Sequence, residues 1–284
     1  MNTKFMSIFT RAPLHVGAGS SVGAVDQPVV RERHTGYPVI PGSSLKGVLA
    51  DLWNEEKGEK GQMVRSTDKE FVRLFGSDDQ KDPSAGKLLI GEGKLLAFPV
   101  RSAKGCWAWL TSPLALERFA RDKWMPLEVP SVAENTVLAS ALLQLSGKVI
   151  LEEFPLAVSG EVPKAIVDAF KALLDEPLWK DNVADHLVVV SDEMFAYFVK
   201  NACEIANHNR IDDKTGVVDG SALFNQENVP SETFFYAVFS ARKEDEDALV
   251  KLEAKVAAEN NLLQIGADMT TGLGWCTVAL KEVK

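Results

Sequence analysis

Cysteine is scarce in this sequence: Cys106, Cys203 and Cys276 are the only three in 284 residues, and they stand far apart. No CxxC pair or Cys/His cluster occurs, which argues against a zinc site. An odd number of isolated thiols is no disulfide framework and suits a reducing cytoplasm. Long apolar runs are also missing. The longest, Val137 to Leu145, is too short to cross a bilayer. The first residues, MNTKFMSIFTRAPLHVG, are too briefly apolar for a signal peptide. A cytoplasmic protein without a membrane partner is expected. Positive charge is in deficit, with 31 Lys and Arg against 40 Asp and Glu, a net −9. A chain that holds nucleic acid by bulk charge would carry the opposite sign. The deficit is uneven, however. Residues 1–50 hold five bases (Lys4, Arg11, Arg31, Arg33, Lys46) and two acids (Asp26, Glu32), a local +3, which leaves −12 for the rest. An anion site is therefore expected near the N-terminus.

The remaining composition, 46% apolar and 25% charged, is that of an ordinary globular protein. The length suits one large domain or two small ones. A first strand is expected over Phe5–Thr10, ended by Pro13. Residues 15–42 form a long Gly/Ser/Pro-rich connection, and loops of that length are usually functional or disordered. Leu45, Val48, Leu49, Leu52 and Trp53 then make a helical stripe, capped by Ser43 or Ser44. Residues 54–65 read as a surface loop, and Thr67 with Glu70 as a capping box. Two or three strands are expected in 87–110. Helices follow from Ser112-Pro113 to about Trp124, over Pro163–Leu174, and over Asp192–Asn201 capped by Ser191. Leu187–Val190 reads as a strand. Ala206–Phe224 reads as a hairpin turning at DDKTG. The chain closes with a strand (Phe234–Phe239), an acidic-started helix (Lys243–Glu259), a strand (Leu262–Ile265), the glycine loop GADMTTGLG and a last strand (Trp275–Leu280). The pattern is α+β, with no repeat of fixed period.

Three features carry possible chemistry, and each has a plainer reading. The loop with Gly266, Gly272 and Gly274 lies between two strands, so it is no dinucleotide or Walker loop. Its backbone N–H groups could meet phosphate oxygens, or it is simply a flexible turn. GSSLKG at 42–47 opens a helix, where N–H groups, two hydroxyls and Lys46 could seat a phosphate; equally it is a capped helix with a solvated lysine. Asp26, a lone carboxylate in the long loop, could bind a metal or act as a base, or could cap a turn. His15 and His34 are candidate acid/base partners or packing residues. No Gly-x-Ser-x-Gly elbow and no HExxH is present.

The run PLHVGAGSSVGAVDQPVVRERHTGYPVIPGSSLKG closely resembles the start of the RAMP superfamily of CRISPR proteins. Within it the chain looks most like the backbone subunits of type III-B (Cmr) effector complexes. LLQIGADMTTGLGW resembles the superfamily's glycine loop, and VVVSDEMFAYFVKNACEIANHNRIDDKTGVVDGSALFNQENVP resembles the same subunits, in the same order. The resemblance implies a ferredoxin-like, RRM-related palm with an antiparallel sheet and helices on one face. It implies one RAMP domain over 1–284: palm from about 1–53 and 231–284, inserted fingers at 54–202, and a thumb hairpin at 203–230.

The function implied is a subunit of antiviral defence that repeats as a filament along a guide (crRNA) and cleaves paired target RNA at regular intervals. The thumb would force out a nucleotide and line up a 2′-hydroxyl with its own phosphate. Asp26 would act there as metal ligand or general base, with His15 and Glu227 as further catalytic candidates. A divalent metal, expected to be Mg²⁺, would neutralise developing charge. Guide contacts are expected from Ser43, Ser44, Lys46, Arg31, Arg33, Gly266, Thr270, Thr271, Gly272 and Gly274, with the two phosphate-type motifs side by side. Implied partners are crRNA, target RNA, further copies of the chain, a large polymerase-like subunit, a small helical subunit and end-capping RAMP subunits. The alternative is a non-catalytic guide-binding scaffold; an intact Asp26 favours the nuclease.

Overall fold

The computed structural model describes residues 1–19, 23–53, 69–77, 83–218 and 223–283. The expected surface loop 54–65 and Thr67 of the expected capping box lie outside them. The first strand, β1 (Asn2–Thr10), organises the molecule. From Lys4 to Thr10 every residue is buried, so both faces of the strand are covered. Phe5 and Phe9 point into one apolar cluster, and Met6 and Ile8 into another. The second cluster is closed by α1 (Gly42–Asp51), α2 (Lys69–Phe75), α6 (Asp192–Asn201) and α7 (Asp247–Ala258). The first is closed by α3 (Pro113–Asp122), α4 (Lys164–Lys171) and α5 (Pro177–His186). Helices thus cover both faces of the sheet, not one as expected. The near-continuous apolar run FMSIF is the reason: its residues on both faces of the pleat need shelter. Ser7, the polar residue on the Phe5 side, donates to the Leu173 carbonyl at 2.9 Å.

The other strands of use here are β2 (Gly93–Ser102), β3 (Cys106–Thr111), β4 (Thr136–Ala139), β5 (Lys148–Leu151), β6 (Phe154–Gly160) and β7 (Leu187–Val189). After them come β8 (Glu204–His208), β9 (Phe224–Asn228), β10 (Phe234–Ala241), β11 (Leu262–Gln264) and β12 (Trp275–Glu282). One sheet runs in the order β11-β12-β1-β10-β2-β3-β7-β4-β6-β5. β1 lies between β10 and β12, antiparallel to both, with Phe5 opposite Val238 and Lys281. β2 pairs antiparallel on the far side of β10. Beyond β3 the sheet is mixed, because β3 with β7 and β4 with β6 run parallel. The expected antiparallel order holds near the termini and lapses in the insertion.

Local chemistry explains the helix ends. Ser112 and Ser191 cap α3 and α6 through their side chains. The start of α1 differs from expectation. It begins at Gly42, and the Pro41 carbonyl accepts from Ser44 N (2.9 Å) and Leu45 N (3.1 Å). Ser43 and Ser44 therefore sit inside the first turn and neither caps it. Helix α5 was not anticipated. Its signals are Glu176, which caps Trp179 N at 3.0 Å, and Pro177 at the first position. Trp179 is wholly buried and donates its indole N–H to the Phe170 carbonyl at 2.8 Å.

β8 and β9 form a hairpin apart from the main sheet, in register from Glu204 opposite Asn228 to His208 opposite Phe224. Gln226, Glu227 and Asn228 at its base are buried, whereas every residue from Asn209 to Val218 is exposed. Asp212 shapes the outer turn by accepting from Lys214 N, Thr215 N and the Thr215 hydroxyl. Ile211, Val217 and Val218 remain exposed at the outer end. Amides of 209–218 should therefore exchange within seconds in the RNA-free chain, and those of 226–229 orders of magnitude more slowly. Hydrogen exchange read by mass spectrometry decides; slow exchange across 209–218 contradicts this division.

Candidate catalytic and RNA-binding site

The site is assembled around β9, whose consecutive residues hold the Asp26 loop at two points and the glycine loop at a third. Asn225 holds Asp26: its Oδ1 accepts from Asp26 N at 2.7 Å, and its own N–H donates to Asp26 Oδ2 at 2.9 Å. Gln226, 1% exposed, donates to Asp268 Oδ2 in the glycine loop at 2.8 Å. Glu227 holds the 29–31 segment. Its Oε2 accepts from Val29 N (3.0 Å) and its Oε1 from Arg31 (2.5 Å). The backbone continues the join, since Glu227 N donates to the Gln27 carbonyl and Val229 N to that of Leu14.

Among the expected catalytic residues, only Asp26 is exposed. One of its oxygens is used by Asn225; among the described residues the other makes no hydrogen bond. His15 and Glu227 are buried, at 5% and 7% exposure. His15 Nδ1 meets the Glu227 carbonyl at 2.7 Å, and its own carbonyl accepts from Ala267 N. Glu227 holds the segment that carries Asp26, His15 joins β9 to the glycine loop, and neither opens to the surface. Arg31, expected on the guide, is spent inside the protein: besides Glu227 it donates to the Gly36 and Val199 carbonyls (2.8 and 2.9 Å) and to Cys203 Sγ (3.3 Å). Burial pushes the Cys203 thiol up to about 12, against the opposing pull of Arg31, so this sulfur is no nucleophile at neutral pH.

The glycine loop packs against the same cluster. Gly266 and Gly274 have φ of +83° and +76°. A Cβ on either would lie 2.2 Å from the His15 carbonyl oxygen or 2.0 Å from that of Ile265, so only glycine fits. The N–H groups of Ala267, Thr271, Gly272, Leu273 and Gly274 donate within the protein. The expectation of free glycine N–H groups is thus met only in part. Thr270 and Thr271 face outward, as does Gly272, around whose Cβ position nothing lies within 4 Å.

The second phosphate-type motif lies at the start of α1. Ser43 and Lys46 line a cleft of about 640 Å³ with Phe71, Phe75 and Ser84. Among the described residues no hydrogen bond joins this helix start to the glycine loop. Lys46 and Arg33 are exposed and make no ion pair among the described residues. Asn225, Gln226 and Asp268 were not anticipated. For Asn225 and Gln226 the signal was the polar run NQEN in a hairpin strand, where alternation would place apolar residues on the buried side; Asp268 had none beyond its place in the glycine loop.

The Arg31–Glu227 pair gives a stability prediction. Removing one partner of a buried pair strands the other. Glu227→Ala should cost the isolated chain about 3 kcal/mol, read as a lower urea midpoint. Glu227→Ala with Arg31→Met should recover most of that loss in a double-mutant cycle. Equal loss in single and double variants would show that the ion pair is not the source.

A model of the RAMP superfamily matches residues 8–277. The CRISPR system Cmr endoribonuclease Cmr4 of Pyrococcus furiosus is 36% identical over 300 aligned positions, which cover 100% of this chain and 97% of that protein. The crystal structure of oligomeric Cmr4 from Pyrococcus furiosus superimposes with a TM-score of 0.75 at 30% identity, covering 100% of this chain and 99% of that one. A chain of the type III-B Cmr-beta complex bound to cognate target RNA shares the fold, with a TM-score of 0.74 at 21% identity and coverage of 99% and 97%. Likeness that spans both chains from end to end, in sequence and in structure, leaves one conclusion: the chain belongs to the RAMP superfamily and, within it, to the Cmr4 group.

Proposed function

We propose that this chain is the repeated backbone subunit of a type III-B CRISPR effector complex, which lines a guide RNA as a filament and cleaves the paired target RNA. The observation that carries this reading is end-to-end likeness, at 36% identity, to a protein that bears the name Cmr endoribonuclease. The oligomeric Cmr4 crystal at 30% identity supports assembly with further copies. The other partners are crRNA, target RNA and the remaining Cmr subunits, in the cytoplasm. The palm is ferredoxin-like: β12, β1, β10 and β2 lie side by side, each antiparallel to the next. α1 lies between β1 and β2 in the chain, and α7 between β10 and β12. The β8–β9 hairpin is the thumb, and the apolar residues at its exposed end (Ile211, Val217, Val218) suit a wedge against stacked bases.

Asp26 is the catalytic carboxylate. With a target nucleotide forced out of the duplex, Asp26 takes the proton of the ribose 2′-hydroxyl. The 2′-oxygen attacks its own phosphorus and the P–O5′ bond breaks. The products are a 2′,3′-cyclic phosphate and a 5′-oxygen that takes a proton from water. His15 and Glu227 support the reaction from the interior by holding the loop. As to a metal, among the described residues no three His, Cys, Asp or Glu side chains gather. One outward carboxylate oxygen still fits Mg²⁺, which is commonly held by one or two carboxylates, phosphate oxygens and water. In that case Asp26 would be its protein ligand in place of the base, with water taking the 2′ proton, and the ion would offset charge on the phosphate.

Asp26→Asn keeps the shape and removes the charge. It should reduce target cleavage by assembled complex at least a hundredfold while guide binding stays within twofold. Chelation should stop the wild type, and Mg²⁺ should restore it. Full activity in the variant would remove Asp26 from the mechanism; indifference to chelator would remove the metal.

Lys46 is an exposed cation at a helix start, a fitting guide-phosphate contact. Lys46→Ala should weaken guide binding and reduce the slope of log affinity against log salt by about 0.7–0.9. An unchanged slope across a salt series would place the guide elsewhere.

A further inference from the structure

We propose that Asn225, in the thumb strand, is the positioning residue for Asp26; this rests on the catalytic reading of Asp26 above. Asp26 lies on an exposed stretch outside named strands or helices. A carboxylate in such a place samples several rotamers unless something holds it. Asn225 holds it at two points. Its side-chain Oδ1 accepts from the Asp26 N–H (2.7 Å), which fixes the backbone, while its backbone N–H, which any residue there keeps, donates to Oδ2 (2.9 Å); the side chain thus sets where the carboxylate stands against that donor. Asn225 Nδ2 also reaches the Ala24 carbonyl at 3.4 Å. Gln27 and Gln226 then pair as a parallel bridge, with Gln27 N on the Asn225 carbonyl at 3.1 Å.

Two consequences follow. Oδ2 is occupied, so Oδ1 is the oxygen presented to the ribose or metal. Asp26 is also carried by the same strand that forms one side of the thumb. Seating the hairpin in the duplex and placing the carboxylate are then one mechanical event, and a displaced hairpin moves Asp26 with it. Preorganisation of this kind acts on the chemical step and not on RNA affinity.

The test uses complex assembled on guide RNA with complementary target, comparing wild type, Asn225→Ala, Asn225→Ser and Asp26→Asn. Single-turnover cleavage rate and target affinity are measured, together with hydrogen exchange at the Asp26 amide in the isolated chain. Asn225→Ala should slow cleavage at least tenfold with affinity within twofold, and the Asp26 amide should exchange at least tenfold faster. Asn225→Ser, whose hydroxyl can accept the same N–H, should recover part of both. Cleavage by Asn225→Ala at the wild-type rate overturns the proposal. So does a loss of rate that merely follows a loss of affinity without rescue by serine, which would make Asn225 a fold residue only. Should Asn225→Ala fail to fold, Asn225→Ser carries the test: slowed chemistry at unchanged affinity supports the proposal, and the wild-type rate overturns it. The Asp26→Asn arm separates the two readings. If it cleaves normally, the assignment of Asp26 fails; if it is inactive while Asn225→Ala is fully active, only the positioning role fails.

Discussion

The ion pair between half-buried Arg31 and buried Glu227 is the contact on which the site depends. Taking two charges out of water costs several kcal/mol each, and the cost is offset only when their remaining hydrogen-bonding groups are satisfied. Here they are. The guanidinium spends its other donors on the Gly36 and Val199 carbonyls and on Cys203, and the second carboxylate oxygen takes Val29 N. These contacts bring the 29–36 segment, the end of α6 and strand β9 to one point. With β9 so anchored, its neighbours Asn225 and Gln226 can reach the Asp26 loop and the glycine loop at fixed distances. A chain without this pair would keep the backbone bonds of Gln27 to β9 and of Ala267 to His15 but lose the charged anchor between them.

The same accounting changes the meaning of the N-terminal positive charge. Of the five bases in residues 1–50, Lys4 lies between Glu253 and Glu282 at 2.5 and 2.9 Å, and Arg31 is paired inside. Arg11, Arg33 and Lys46 are the three of the five that are exposed without an ion pair among the described residues, Arg11 donating to the Thr277 hydroxyl at 2.6 Å. On the proposed function, a chain of net −9 would meet an RNA backbone with a few placed cations, hydroxyls and helix N–H groups, not with a diffuse field. Such contacts fix register and carry no sequence information, which suits a subunit whose guide differs from one complex to the next. On the proposed reading, Asp26 is an exposed negative charge near that surface, where it opposes binding and is kept for its chemistry.

Glycine and strand geometry set the rest. The sheet is sheltered on both faces because β1 is apolar on both, so the RNA-facing groups cannot come from the sheet surface in the manner of an open-faced RNA-binding module. The proposed guide contacts lie instead on the helix start and on loops at the strand ends. Gly266 and Gly274 let one of these loops press against the His15 and Ile265 carbonyls, closing the cluster from the C-terminal side.

Much of this was legible in the residues. Local signals sufficed for β1, for α1 with its Leu45/Leu49 stripe, for the serine caps of α3 and α6, for the hairpin turn at Asp212 and for the strand–helix–strand order at the C-terminus. Asp26 also stood out as a carboxylate in a loop with no core role. Helix α5 was missed because its few apolar positions, Trp179 and Val183, make a weak stripe. The roles of Arg31 and Glu227 were beyond reach, since residues 196 positions apart leave no local mark of their pairing, and a charged residue in a loop reads as solvent-facing. Clothing both faces of the sheet was likewise a matter of where the inserted helices travel. Sequence by itself determined the elements and the candidate carboxylate, because propensity, capping and periodicity act over a few residues. Only the tertiary structure decided which charges face RNA and which are buried, because burial depends on partners that the fold brings in from far along the chain.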